Sequence, residues 1–340
     1  MGVLVVIGMP AINKILVIRL SSIGDIILTT PLLRRLHAAY PDARIDYCTK
    51  PPFVTLLGSN PRLSKIYTTE QLPSERYDLV VDLQNNHQSR TIVGSIHATQ
   101  KVKYSKENWK KWLMVQCKLN LYSTSQSVVN RYQAALTKLK VTDDIEGCEL
   151  YLSASEKAFA EPCILAGKKT LALCFGARHF TKRFPPRRFA ALLSILFTDD
   201  SVRVLLLGGK EDASQALAIV NALPLSFRSK VVNLSGSCSL MQTAALLEQC
   251  DAVLTNDTGL MHMASAFGKK LFVLFGSSSS VFGFLPYHTP YQLFEVEGLA
   301  CRPCSHIGRD RCPKGHFRCM NDLSEELIAR RILEHFQRSC

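Results

Sequence analysis

Residues 14–20 read Lys-Ile-Leu-Val-Ile-Arg-Leu, an almost unbroken apolar run closed by Ser21-Ser22-Ile23-Gly24-Asp25. A run of that length and character predicts a strand buried on both faces, as in the middle of a parallel sheet. A helical pattern follows over 26–40, and Pro31 should kink it or end its first turn. Outward from this unit, further strands are expected at 44–48, 65–68, 79–83 and 101–104. Helical patterns lie between them, the longest at 126–139. Strands alternating with helices predict a doubly wound parallel sheet. The pattern restarts after 141–168, with strands at 170–174, 203–207, 231–234, 252–255 and 271–275. Helices are expected at 187–197, 212–222, 240–249, 259–267 and 325–337, the last capped by Ser324.

The fold class expected is therefore α/β, two Rossmann-like domains whose parallel sheets face a cleft, with ligands at the carboxyl ends of the strands. The boundaries read as 1–155, 156–323 and a terminal helix 324–340 that packs back on the N-terminal domain. The stretch 141–168 is the linker candidate, a soft boundary because it lacks a Pro/Gly cluster. A chain of 340 residues suits two cores better than one. The opening 1–12, MGVLVVIGMPAI, is apolar but lacks the basic start and polar exit of a signal peptide. It reads as an extra segment ahead of the first strand, with a short interfacial anchor as the alternative. No apolar run approaches the ~20 residues of a membrane span, so a cytoplasmic location is expected.

Lys and Arg outnumber Asp and Glu by 41 to 28, a net charge of +13 that suits an anionic partner. No block of six like charges occurs, which disfavours nucleic acid relative to an anionic glycan. Of twelve cysteines, Cys48, Cys117, Cys174 and Cys250 lie in apolar segments, where a small buried hydrophobe is the default.

Several polar motifs fall where strands end. Asp257-Thr258-Gly259-Leu260-Met261-His262 follows the strand 252–255 and opens a helix. Gly259 permits close backbone approach, and the first helical N–H groups suit a diphosphate or a sugar. Equally, Asp257 could cap the helix and His262 pack on the sheet. Gly176 to Pro185 follows 170–174 and carries Arg178 and Lys182, both suited to phosphate oxygens; a solvated basic loop is the alternative. Asp25 sits at a helix start and could accept a proton from an acceptor hydroxyl, or simply cap that helix. Glu211 and Asp212 follow 203–207, where a carboxylate can hold ribose hydroxyls. Neither G-x-x-x-x-G-K-[ST] nor G-x-G-x-x-G is present, which removes the main support for kinase-type and dehydrogenase readings.

These residues resemble the ADP-heptose:lipopolysaccharide heptosyltransferases, glycosyltransferase family 9. The similarity lies in KILVIRLSSIGDIILTTPLLRRL, YDLVVDLQNNHQSR, GARHFTKRFPPRRFAAL, LLLGGKEDA, LTNDTGLMHMASAFGKKLFVLFG and the CRPC…CPKGHFRC tail, in the family's order from residue 14 onward. The resemblance implies a GT-B fold and an inverting, metal-independent transfer with no cofactor. It implies an ADP-heptose donor and an inner-core lipid A acceptor (Kdo or heptose) at the cytoplasmic face of the inner membrane. It implies Asp25 as catalytic base, Lys182 as the phosphate-binding lysine, and Asp257 as the carboxylate on the donor sugar. Thr258, Gly259 and Leu260 would contact the diphosphate, and His262 belongs to the same motif. Asp212 falls nearest the ribose-binding acid, with Glu211 one residue away and the register open. The family usually has Trp where this chain has Phe184, and hydroxyl residues where it has Ala177 and Arg178. An acidic acceptor gives the basic N-terminal domain something to bind; Arg19, Asn85 and Arg90 are the candidates, with Lys14, Arg34 and Arg35 also in reach of an anion. Two alternatives stand beside this reading: a GT-B enzyme using another nucleotide sugar, and a non-enzymatic nucleotide or nucleic-acid binder.

Cys301-x2-Cys304-x7-Cys312-x6-Cys319 has the spacing of a tetrahedral knuckle, a candidate structural zinc site. Disulfides or reduced packed thiols are the alternatives.

Overall fold

The computed structural model describes residues 12–122, 126–139 and 141–338. All but the last residue of the apolar opening 1–12 lies outside the described residues. The strands are β1 (Lys14–Ile18), β2 (Arg44–Thr49), β3 (Lys65–Thr68), β4 (Tyr77–Asp82), β5 (Ala98–Lys103), β6 (Lys169–Cys174), β7 (Val202–Leu207), β8 (Val231–Asn233), β9 (Ala252–Asn256), β10 (Lys270–Phe275) and β11 (Tyr291–Glu295). The α-helices are α1 (Ile23–Ile27), α2 (Thr30–Ala39), α3 (His87–Ser95), α4 (Asn108–Gln116), α5 (Val128–Gln133), α6 (Ala154–Ala160), α7 (Pro186–Leu196), α8 (Ala213–Ala222), α9 (Leu240–Gln249), α10 (Gly259–Ser265), α11 (Arg318–Asn321) and α12 (Glu325–Arg338).

The described residues fall into two compact units. One takes those of Met1–Ser21, Leu32–Lys106 and Arg131–Asp144; the other takes those of Ser22–Pro31, Glu107–Asn130 and Ile145–Cys340. The first holds a five-stranded sheet in the order β3-β2-β1-β4-β5, parallel throughout. Strand β1 lies at its centre, Ile15 opposite both Ile45 and Leu79, with Ile15 to Ile18 fully buried, as an unbroken apolar run requires. Leu16, Ile18, Tyr67, Tyr77, Val80 and Ile92 build its core.

The second holds a six-stranded parallel sheet, β11-β10-β9-β6-β7-β8. The chain runs from β6 outward to β8, then restarts at β9 on the other side of β6. A topological switch therefore lies between β6 and β9, and its counterpart in the first sheet lies between β1 and β4. Crevices beyond the carboxyl ends at such points are where open α/β sheets place ligands.

Pro31 interrupts the helical pattern 26–40 as expected, and two departures from expectation have local causes. The helical pattern 26–40 breaks into α1 and α2, because Pro31 cannot continue a helix from Ile27 but fits the first turn of a new one. The segment 126–139 gives α5 and then a 3₁₀ stretch, Ala134–Leu139, so the longest helix among the described residues is α12. The linker 141–168 contains α6, capped by Ser153 and Glu156 in a reciprocal box. The stripe Ile328, Ala329, Ile332, Phe336 of α12 belongs to the second core, alongside Phe189 and Leu193 of α7. The terminal helix is thus part of the second unit. Among the described residues, no helix is long and apolar enough to cross a membrane.

Candidate active site

The second sheet's switch point brings two of the motifs together. Asp257 follows β9 directly, and Lys182 lies on the loop that follows β6. Lys182 Nζ stands 2.7 Å from Asp257 Oδ2, and Ser278 Oγ donates to the same oxygen at 2.7 Å. Asp257 is only 7% exposed. Burial pushes its carboxyl upward, but the Lys182 ammonium, the Ser278 hydroxyl and His262 outweigh it and hold it below the usual carboxylate range. Asp257 is therefore a buried, ionised carboxylate held by a cation and a hydroxyl.

The loop 176–184 is fixed by short polar side chains. Asn256 donates to Phe175 O at 2.6 Å and accepts from Phe184 N, tying β9 to the loop after β6. Thr181 accepts from Arg309 N and from Ser277 Oγ, while its own carbonyl accepts from Ser277 N. Arg183 Nε donates to Ala177 O at 2.6 Å. Lys182 is thus carried on a stapled 3₁₀ turn, Phe180–Lys182. Arg178 projects from the same loop and is exposed. Phe184 is fully buried, edge-on to Phe189, so its ring fills core space.

Helix α10 begins beside Asp257. Thr258 is its N-cap, accepting from Leu260 N at 3.2 Å. His262 is 4% exposed, and its Nδ1 has no hydrogen-bond partner among the described residues. Burial lowers its pKa to about 4 against the opposing pull of Asp257 and Asp25, so the ring is neutral at pH 7. Helix α1 lies against α10 with no room to spare. A Cβ on Gly24 would stand 2.5 Å from His262 Cδ2, and one on Gly259 would stand 2.9 Å from Ile23 Cβ. This close approach brings Asp25, at the third position of α1, into the second unit and within electrostatic reach of His262. Ser22 donates to Asp25 Oδ2 from its backbone and its hydroxyl, a capping box that orients the carboxylate.

Beyond β7, Asp212 is buried and accepts from Gly209 N at 3.0 Å, packed so closely on Gly176 that a Cβ there would fall 2.2 Å from its carboxylate. Burial raises its pKa, with the Gly209 N–H opposing. Glu211 is exposed.

In the first unit, the acceptor candidates separate. Arg19 is buried, with its guanidinium bonded to Ser21 O and Leu83 O and set over the Tyr132 ring. It is an internal strut. Lys14 pairs with Glu75, Arg34 with Asp144, and Arg35 with Asp143 and Asp144. Beyond β4, Asn85 has a positive φ of 41° and accepts from the exposed Arg90 at 3.1 Å.

The four cysteines do not form the expected zinc knuckle. Among the described residues, no group of three or more His, Cys, Asp or Glu side chains is placed to hold a metal ion. Cys319 turns into the hydrophobic core with Cys312 packed against it, while Cys301 approaches His316 Nε2 at 3.9 Å. Burial pushes the Cys304 thiol up and the Cys319 thiol to about 11. The segment braces the site instead. Arg302 bonds Glu295 and donates to Ser278 O, Cys304 N donates to Ser277 O, and Arg309 N reaches Thr181.

Ser278, Asn256 and Thr181 were not singled out from sequence. The only signal was the polar Gly276-Ser277-Ser278 run at the end of β10.

Residues 67–312 match the model of glycosyltransferase family 9 (heptosyltransferase). The chain is 27% identical to lipooligosaccharide heptosyltransferase 2 of Haemophilus influenzae, over 94% of this chain and 99% of that protein. It is also 27% identical to lipopolysaccharide heptosyltransferase 2 of Escherichia coli, over 79% and 84%. Among solved structures, the family 9 glycosyl transferase of Veillonella parvula overlays with a TM-score of 0.78 at 20% identity, covering 96% of this chain and 98% of that one. Escherichia coli ADP-heptose lps heptosyltransferase II overlays at 0.73 and 22%, covering 96% and 100%. Two parallel α/β sheets, polar motifs at the switch points and a family match spanning most of the chain lead to one conclusion: the chain belongs to glycosyltransferase family 9, the heptosyltransferases.

Proposed function

We propose that the protein transfers a heptose from ADP-heptose, with inversion and without a catalytic metal, to a Kdo or heptose of the lipopolysaccharide inner core. The observation that carries this reading is the buried Lys182–Asp257–Ser278 cluster, with the helix bearing Asp25 packed on α10 beside it. Both contacts to Asp257 fall on Oδ2, and donor-sugar hydroxyls are assigned to its other oxygen. The acceptor hydroxyl attacks the anomeric carbon from the side opposite the nucleotide. Asp25 takes its proton, and the bond to the diphosphate breaks. Negative charge then grows on ADP, where the Lys182 ammonium and the Gly259 and Leu260 end of α10, with the Thr258 hydroxyl, stabilise it. Exposed Arg178 adds a second cation to the phosphates. Exposed Glu211 takes the ribose hydroxyls, and Asp212 shapes the turn beneath. Neutral His262 packs against α1 and keeps the Asp25 helix in place. On the first unit, Arg90, presented by Asn85, is the acceptor-phosphate candidate, since Arg19 serves the interior.

The named relatives act, by name, on lipopolysaccharide or lipooligosaccharide, which supports this acceptor class. An acceptor of that kind places the enzyme at the inner face of the cytoplasmic membrane as a peripheral protein. The test is release of ADP from ADP-heptose with a truncated core acceptor. Asp25→Ala should abolish turnover while the fold and ADP binding persist; full activity in that variant removes Asp25 from its role.

A further inference from the structure

Helix α4 is unlike its neighbours. It runs for nine residues, Asn-Trp-Lys-Lys-Trp-Leu-Met-Val-Gln, and none of them is buried. Trp109 and Trp112, three residues apart, lie on one face of it and are each 59% exposed. After the helix, Leu119 and Leu121 are also exposed. Large aromatic side chains left in water at this density mark a surface that something covers.

The charge around this face is one-sided. Lys106, Lys110 and Lys111 stand against a single acid, Glu107, which is itself paired with Lys110. Lys110 also lies 5.7 Å over the Trp109 ring. The helix is attached to the second unit from its other side. Met114 borders a groove with Val296, Leu299 and Pro303, and Lys118 Nζ donates to Pro303 O at 2.6 Å. The tryptophan face is therefore held outward by a fixed mount.

We propose that this face of α4 lies on an anionic bilayer, the two indoles entering the headgroup–acyl boundary and the lysines meeting lipid phosphates. Tryptophan is the side chain best suited to that boundary, with an apolar ring and one N–H donor, and flanking lysines supply the attraction to anionic headgroups. The inference rests on the reading that the acceptor is membrane-held, and it names the surface that makes the contact.

The sequence offers a clean probe, because Trp109 and Trp112 are the chain's only tryptophans. Intrinsic fluorescence of the full-length protein reports this helix alone. With vesicles of phosphatidylcholine containing phosphatidylglycerol, emission should shift to the blue, and lipids brominated on the acyl chains should quench it. Vesicles of phosphatidylcholine alone should do neither. Flotation with the anionic vesicles should weaken at least tenfold in the double variant Trp109→Ser/Trp112→Ser. It should weaken about fivefold in Lys111→Gln, the share of one lysine near an anionic surface. Turnover of a soluble, deacylated core acceptor should be unchanged in both variants. No blue shift and no flotation with anionic vesicles overturns the proposal. A blue shift that appears without lipid as protein concentration rises assigns the face to a second copy of the chain and overturns it too. Loss of turnover on the soluble acceptor, with flotation intact, assigns the face to the acceptor sugar and likewise overturns it. Wild-type ADP release with that acceptor tests the transferase reading separately.

Discussion

Lys182→Met removes the one ammonium against Asp257 while nearly keeping side-chain volume. The side chains are 15% and 8% exposed, so the pair is largely withdrawn from water. Removing one partner of a buried pair costs about 3–5 kcal/mol, because the other charge stays behind without compensation. Ser278 keeps its bond to the carboxylate, which points to the low end, about 3 kcal/mol. For a unit of this size the apparent Tm should fall by roughly 6–12 °C. The pH dependence carries the sign. In the wild type the Asp257 carboxyl is held low, so its contribution is present at neutral pH and lost only as pH falls below about 4. Without Lys182, burial dominates and raises that pKa, so the deficit should be greatest at neutral pH and shrink as pH is lowered. Thermal melts of both proteins between pH 7.5 and 4 read this directly. Lys182→Met/Asp257→Asn, which buries no charge, should recover most of the lost stability. Turnover should stay down by on the order of 10²–10³ in the single variant and at least as far in the double. A Lys182→Met protein that melts within a degree of wild type at pH 7.5, with no pH-dependent gap, would refute the buried-pair account.

Gly24→Ala should cost about 1–3 kcal/mol of stability in denaturant titration and lower turnover further by displacing Asp25, since its Cβ collides with His262. Gly94→Ala, in α3 with nothing within 4 Å of the new atom, should instead stabilise by about 0.5–1 kcal/mol. His262 has a depressed pKa of about 4, so its contribution is intact above pH 6.5 and lost as pH falls from 6.5 towards 4. His262→Phe should remove on the order of 3 kcal/mol of that pH dependence, read from urea midpoints across the window. Glu211→Ala should weaken ADP binding about tenfold by calorimetry at unchanged Tm. Asp212→Ala should lower Tm instead, because its carboxylate holds the Gly209 turn.

Central strands were legible because burial on both faces writes an apolar run: β1, β6, β9 and β10 all read that way. Strand β11 was missed, since Tyr291–Glu295 is a short edge strand that mixes polar and apolar residues and buries only Phe294. The site was legible only motif by motif. Lys182 and Asp257 each fall after a strand, but they lie 75 residues apart, and their ion pair depends on β6 and β9 being neighbours. Sequence order suggests β8 as the neighbour of β9; the switch point decides otherwise. Ser278 and Thr181 were invisible because a hydroxyl after a strand looks the same in any turn. The cysteine spacing pointed to metal, whereas the fold turns Cys319 inward and uses its neighbours Arg302 and Arg309 as braces. The charge reading had a similar outcome: Arg19 looked available to an anion but is enclosed by carbonyls.

The packing of α1 on α10 also bears on how the molecule is made. Ile23, Ile26 and Ile27 leave the ribosome early, whereas Gly259 and His262 follow about 230 residues later. At roughly 5–20 residues per second, that is a wait of about 10–50 s. For that interval the turn bearing Asp25 lacks α10 to pack on, and the second unit cannot be completed from its own contiguous stretch alone. A nascent chain arrested before residue 259 should therefore expose Ile23 to a chaperone, and release it once α10 has emerged.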